Sequence, residues 1–390
     1  MADPTPEPAP ASSVVEGVPR WVRAPVAVLL VYVFLVGVRG LSGGFALLGE
    51  DLIGQFFLAT ENPFVGLGVG LLATTAVQSS SATTSMIVAL VAAPGDPLPM
   101  AHAIPMIMGA NIGTTVTNSM VSIGHMGRPV EFRRAFAAAT CHDFFNWAAV
   151  ALLLPLELAT GSLEKLSGSI ARLVPAGVGG ELPNPVGAAA DWALDPLERL
   201  FMSFAPTPLV GALLFLAVAI VILFVGLLGL VRTLRSMMAA RMARYLEHAL
   251  GERPLTGMGV GALTTAMVQS SSITTSLMVP LAGTGILRLE QVFPIALGAN
   301  LGTTLTALIA SLGAPADTLH LAIQISLVHL FFNFFGIVLI YPLRAVRQVP
   351  LGLSRWIARV ASRSKPLAFV YIVGLFYGLP AALVFLYRAA

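Results

Sequence analysis

The sequence predicts an all-α polytopic membrane protein: two inverted repeats, each a re-entrant helical hairpin followed by two spans, with further spans flanking them. Three observations lead there. Of 390 residues, 56% are hydrophobic and 11% charged, with a mean hydropathy of +0.85, whereas a soluble domain carries roughly 25% charged residues. Uncharged runs such as 208–231 and 366–387 exceed the ~18 residues that mark a membrane helix. The chain also repeats itself. GLGVGLLATTAVQSSSATTSMIVALV from Gly66 matches GMGVGALTTAMVQSSSITTSLMVPLA from Gly257, PMIMGANIGTTVT (105–117) matches PIALGANLGTTLT (294–306), and HDFFNWAAVALLLP (142–155) matches HLFFNFFGIVLIYP (329–342). Three collinear blocks with small gaps require an internal duplication.

The elements follow in order. Residues 1–20, rich in Pro, Ala and acidic side chains, lack the basic region and apolar core of a signal peptide and read as a disordered cytoplasmic tail. Residues 21–158 hold the first span (24–47) and repeat 1, whose apolar segments are 64–93, 100–123 and 135–157. An extracytoplasmic loop, 159–205, follows. Residues 206–345 contain the linking span, a basic cytoplasmic loop and repeat 2 (257–282, 291–311 and 319–343). A C-terminal segment, 346–390, carries the last span.

The first segment of each copy is interrupted by its QSSS block, so it reads either as a continuous helix or as a hairpin. The arginines arbitrate, because cytoplasmic loops are enriched in Lys and Arg. The stretches 124–134, 232–253 and 344–365 are rich in arginine. With hairpins, all three fall inside and the copies are inverted. With full crossings, 124–134 falls outside and the copies are parallel. The hairpin is the expected form.

Inverted repeats with broken helices are the pattern of secondary transporters, whose sites lie at the repeat interface. Irregular backbone survives at membrane depth only where protein or a water cavity covers it, so the two QSSS blocks are expected to face each other. They offer hydroxyls and amides, with no Lys, Arg, Cys or Glu. Oxygen ligands of that kind suit hard cations, whereas transition metals favour imidazole or thiolate. GANIGTT and GANLGTT add Asn111 and Asn300, with their threonine pairs, as a second couple of site elements. Thr74, Thr75, Thr264 and Thr265 read as helix-packing residues, since small hydroxyl side chains let membrane helices approach closely. His142 and His329, each heading a His-x-Phe-Phe-Asn with Asn146 or Asn333, read either as site residues or as helix contacts. Asp143 stands apart: its counterpart is Leu330, and a lone intramembrane carboxylate points to an ion pathway or to an ion pair with Arg133 or Arg134. Cys141, the single cysteine, excludes an internal disulfide and reads as a buried, inert thiol. No clustered basic face marks a nucleic-acid partner.

These blocks, with EFRRAFAAATCHDFFNWAAVALLLPLE (131–157), closely resemble the type II sodium-dependent phosphate cotransporters, solute carrier family 34, over roughly residues 20–345. The resemblance implies sodium-coupled symport of inorganic phosphate, as the divalent ion, into the cell, by a multi-pass protein of the plasma or inner membrane. It implies no catalysis and no cofactor beyond sodium as coupling ion; the partners are phosphate, Na+ and the lipid bilayer. Carried over by match, Gln78, Ser79, Ser80, Ser81, Gln269, Ser270, Ser271, Asn111 and Asn300 would bind phosphate. Asp143, Gln269, Ser270, Ser272, Thr114, Thr115, Thr303 and Thr304 would bind sodium. Electrogenic members carry Ala-x-Ala-x-x-x-Asp, which stands here as Ala137 to Asp143. The short, cysteine-free 159–205 departs from the animal members' disulfide-bearing loop and implies a minimal, bacterial-type member. A sodium-coupled carrier of another oxyanion is the alternative. A serine hydrolase fits less well, because the duplicated QSSS serines stand in no Gly-x-Ser-x-Gly elbow, and a passive channel is the remaining reading.

Overall fold

The computed structural model describes residues 20–48, 59–173, 185–248 and 254–388. The expected tail, apart from Arg20, lies outside them. The described residues are helical, without strands. Helix α1 spans Arg20–Ala46. Repeat 1 comprises α2 (Pro63–Val77), α3 (Ser80–Val91), α4 (Met100–Gly113), α5 (Val116–Ile123) and α6 (Pro129–Thr160). Helices α7 (Ser162–Ala171), α8 (Pro185–Phe204) and α9 (Pro208–His248) connect it to repeat 2. That repeat comprises α10 (Pro254–Val268), α11 (Ser271–Thr284), α12 (Leu289–Ser311) and α13 (Leu319–Ile340). The chain ends with α14 (Arg344–Arg363), α15 (Lys365–Val373), a π-helical turn at Gly374–Gly378 and α16 (Leu379–Arg388).

Six helical stretches among the described residues are long and apolar enough to cross a membrane: Val22–Ala46, Pro129–Thr160, Pro208–Met237, Leu289–Ser311, Leu319–Ile340 and Lys365–Phe385. Val28, Val221 and Val225 stand 71%, 59% and 57% exposed along α1 and α9, an apolar surface that lipid rather than water covers. This is an all-α polytopic membrane protein.

Close glycine contacts set the direction of the hairpins. Gly70 of α2 meets Met106 of α4, and Gly109 and Gly113 of α4 meet Leu67 and Thr74 of α2. Residue numbers rise together, so α2 and α4 run parallel. A chain that crossed fully through α2 and α3 would return antiparallel; instead α3 doubles back and α4 starts beside the start of α2. Repeat 2 does the same: Gly257 lies against Pro294, Gly298 against Met258, and Gly302 against Thr265.

The copies themselves run in opposite directions. At the open end of the first hairpin, the Ala92 carbonyl accepts hydrogen bonds from Ser42 (2.6 Å) and from Thr318, just past the end of α12 (2.8 Å). At the open end of the second, Gly283 lies against His125, just past the end of α5, and Gly285 against Arg134, near the start of α6. Each hairpin therefore opens where the other copy's neighbouring span ends.

A Cβ at Gly109 would collide with the backbone carbonyl of Leu67, and no side-chain rotation relieves a clash with backbone. Overpacking of this kind costs about 1–3 kcal/mol and occasionally more. Gly109→Ala is therefore expected to lower the melting temperature of the detergent-solubilised protein by several degrees, read by fluorescence-detected size exclusion. Gly43→Ala, where a Cβ meets open space, is the matched control.

Three stretches read as loops are helical. The 159–205 region forms α7 and α8, joined to α1 by Arg39, whose guanidinium grips Asp191 at 2.8 and 2.9 Å. Helix α9 continues through Arg232 and Arg235 to His248, because nothing before Gly251 breaks a run of Leu, Met, Ala and Arg, all good helix formers. Residues 344–363 form α14, whose buried Leu351, Ile357 and Ala358 pack it on α6. Conversely, segment 100–123 divides at Thr114–Thr115, where α4 gives way to α5, while its counterpart α12 is continuous.

Candidate functional site

The hairpin tips are built alike in the two copies. Gln78 and Gln269 end the first arms in the left-handed region, at φ 58° and 57°, the only non-glycine residues with positive φ among those described. A bulky residue rarely adopts that conformation, and here the side chain supplies the ties. Gln78 donates from Nε2 to the Thr75 carbonyl (2.9 Å) and accepts at Oε1 from Thr117 (3.0 Å). Gln269 donates to the Ala266 carbonyl (2.5 Å) and accepts from Thr306 (2.8 Å). Ser79 and Ser270 then cap the second arms, accepting from the amides of Ala82 and Ile273, the usual service of an N-cap serine. Each tip thus presents a helix N-terminus, which favours negative charge.

The two tips meet. Ser81 donates to the Gln269 carbonyl (3.3 Å) and lies 3.4 Å from the Thr303 hydroxyl. Gln269, Ser80, Ser81 and Ser271 are buried, whereas Gln78, Ser79, Ser270 and Ser272 are half-buried. The Ser271 hydroxyl is buried without a hydrogen-bond partner. Thr114 and Thr304 bond back to their own helices, at the carbonyls of Ala110 and Leu301.

Asn111 and Asn300 sit elsewhere, in a buried polar layer between the copies. His142 Nε2 lies 2.7 Å from Asn300 Oδ1, and His329 Nε2 lies 3.4 Å from Asn111 Oδ1. The exchange is reciprocal, as a two-fold relation between equivalent surfaces requires. Asn146 joins both sides, donating to the Asn111 carbonyl (2.7 Å) and accepting from Asn300 (2.8 Å), while Asn333 donates to Asn111 (3.1 Å). The histidines therefore make helix contacts. Thr264 and Thr265 are buried and bonded to Val260 and Thr274, while Thr74 and Thr75 are buried without hydroxyl partners.

Asp143 forms a second centre. It is fully buried on α6. Its Oδ2 accepts from Ser119 (3.3 Å) and Tyr371 (2.9 Å), the Thr115 hydroxyl lies beside it, and Oδ1 has no partner. Neither Arg133 nor Arg134 pairs with it; both are exposed, and the ion-pair reading fails. A buried carboxylate with one free oxygen, surrounded by hydroxyls, has the donor set of a hard-cation site. Next to Ser119, Asn118 accepts from Thr275 (2.9 Å) and Ser276 (3.1 Å), so the chain at 118–119 touches both Asp143 and the second hairpin. Among the described residues no three His, Cys, Asp or Glu side chains cluster as a metal site. Cys141 is buried and free.

Two members of this centre escaped the sequence reading. Ser119 had a signal: its counterpart is Leu308, as Asn118 faces Ala307 and Asp143 faces Leu330. Tyr371 had none, because it lies beyond both repeats, held among Phe136, Phe144 and Phe376.

Two hairpins whose tips meet beside a buried carboxylate, at the interface of oppositely directed repeats, define a membrane carrier of the secondary-transporter class. The family model described as Na+/Pi-cotransporter matches residues 33–160 and 222–355. The chain belongs to that family. Sodium-dependent phosphate transport protein 2A of Rattus norvegicus is 32% identical over 444 residues, covering 96% of this chain and 69% of the relative. The 2A protein of Ovis aries is 33% identical over 433 residues (92% and 67%), and the 2B protein of Homo sapiens 31% over 436 (90% and 63%). No solved structure matches the chain.

Proposed function

We propose that this protein is a symporter that couples sodium entry to the uptake of inorganic phosphate across the cell membrane, without catalysis. The observation that carries the reading is the meeting of the two hairpin tips, Ser81 on the Gln269 carbonyl, in a chain whose relatives are named sodium-dependent phosphate transport proteins. Gln78, Ser79, Ser80, Ser81, Gln269, Ser270 and Ser271 bind divalent phosphate between two helix N-termini. Hydroxyls and amides donate to its oxygens, while backbone carbonyls, Ser272 and Thr303 coordinate sodium. Asn111, Asn300, Thr114 and Thr304 hold the surrounding scaffold. Asp143 takes a further sodium, with Thr115, Ser119 and Tyr371 around it, and makes transport electrogenic. The arginine-rich face, with the open end of the second hairpin, is cytoplasmic, and α7 and α8 lie outside.

Labelled phosphate uptake into proteoliposomes tests this. Uptake is expected under an inward sodium gradient, is absent under a matched potassium gradient, and persists with excess sulfate. Equal uptake in sodium and potassium would reject the coupling. Competition by sulfate would turn the reading toward a general oxyanion carrier.

A further inference from the structure

Beyond the central site, a cavity of about 460 Å³ opens between the second hairpin's open end, α6 and α14. Five guanidinium-bearing residues line it, Arg133, Arg134, Arg288, Arg355 and Arg359, against one carboxylate, Glu290. Glu290 is already held by Arg355. Among the described residues no carboxylate pairs with Arg133, Arg134 or Arg359.

The chain uses arginine almost throughout, with two lysines, Lys165 and Lys365, so the choice of arginine carries no message; the placement does. Three separate elements each bring a cation to one concavity, where like charges repel. Glu290 is the one acid on the cavity wall and is taken by Arg355, so among the described residues no acid pairs with Arg133, Arg134 or Arg359. Helix α12, 23 residues long, begins at Leu289 on the cavity wall, and its N-terminal dipole adds positive potential. Ala137, Leu287 and Ala358 give the rest of the lining an apolar character. Guanidinium forks suit the tetrahedral oxygens of a phosphate group in bidentate geometry.

We infer that this arginine cavity is a binding site for a phosphate group, distinct from the hairpin tips. Two sources share that chemistry. Free phosphate would reach the cavity from the aqueous face, and an anionic phospholipid headgroup from the bilayer, toward which the exposed apolar side chains of Leu353 and Trp356 on α14 would turn. The inference goes beyond the transport reading, and its test reads binding rather than uptake, so either can fail alone.

The test is protection of arginines from phenylglyoxal in the full chain, read by mass spectrometry in phosphatidylcholine nanodiscs. Inorganic phosphate, incorporated phosphatidylglycerol, or chloride at matched ionic strength is added. Labelling of Arg134 and Arg359 is expected to slow several-fold with phosphate or with phosphatidylglycerol. Arg199, whose side chain is 83% exposed on α8, is expected to label at an unchanged rate. Protection by phosphate alone identifies the free anion, by phosphatidylglycerol alone the headgroup, and by both a site open to either. Protection by neither, or equally by chloride, overturns the inference. The phosphate arm is repeated on Gln269→Ala, which disables the central site. Protection that survives there confirms the cavity as the binding place, and protection that vanishes places the ligand at the tips and overturns it.

Discussion

Gln269→Ala is expected to remove all measurable sodium-driven phosphate uptake, and Gln78→Ala to do the same. Each glutamine holds its tip by two hydrogen bonds, worth about 0.5–1.5 kcal/mol apiece. Alanine loses both, leaves the Thr306 or Thr117 hydroxyl without its acceptor, and must still occupy the left-handed region, at a cost of roughly 1–2 kcal/mol. The Gln269 carbonyl, where Ser81 arrives, is then no longer fixed. Gln269→Gly separates the two causes, since glycine relieves the backbone strain but restores no amide. Uptake is expected to stay absent in it. Recovery would assign the residue a backbone role only, and full uptake in both alanine variants would make the blocks packing elements.

Asp143→Gly is expected to abolish net charge movement while part of the uptake remains. A divalent anion accompanied by sodium ions that balance its charge moves no net charge. On the proposed assignment, one more sodium at the unpartnered Oδ1 of Asp143 would make each cycle carry positive charge inward. Removing the carboxylate removes that ion. The substitution also places glycine inside α6, which costs about 1 kcal/mol, and Asp143→Asn, which avoids that cost, is expected to behave alike. Unchanged phosphate-evoked current in both would refute the assignment.

Much of this was legible in the sequence because duplication writes geometry twice. The paired QSSS blocks led to the expectation that they face each other, and the arginine pattern favoured hairpins, the form in which α2 and α4, and α10 and α12, run parallel. Asp143 against Leu330 marked the second centre. What stayed hidden has physical causes. The contacts of Asn111 and Asn300 are not written locally, since polarity reads the same whether a side chain faces a pathway or a partner helix. Only the fold shows them bonded to His329 and His142. Tyr371 reaches Asp143 from 228 residues away, a contact that no local pattern encodes. Amphipathic α14 passed for a loop because its charge was read and its buried face of Leu351, Ile357 and Ala358 was not.

The most direct test of the central claim is the current evoked by phosphate in cells or planar bilayers carrying the full chain, recorded first in sodium and then in choline medium. The account predicts an inward current that grows with sodium and vanishes in choline. A current of the same size in choline, or phosphate uptake that proceeds there undiminished, would contradict it.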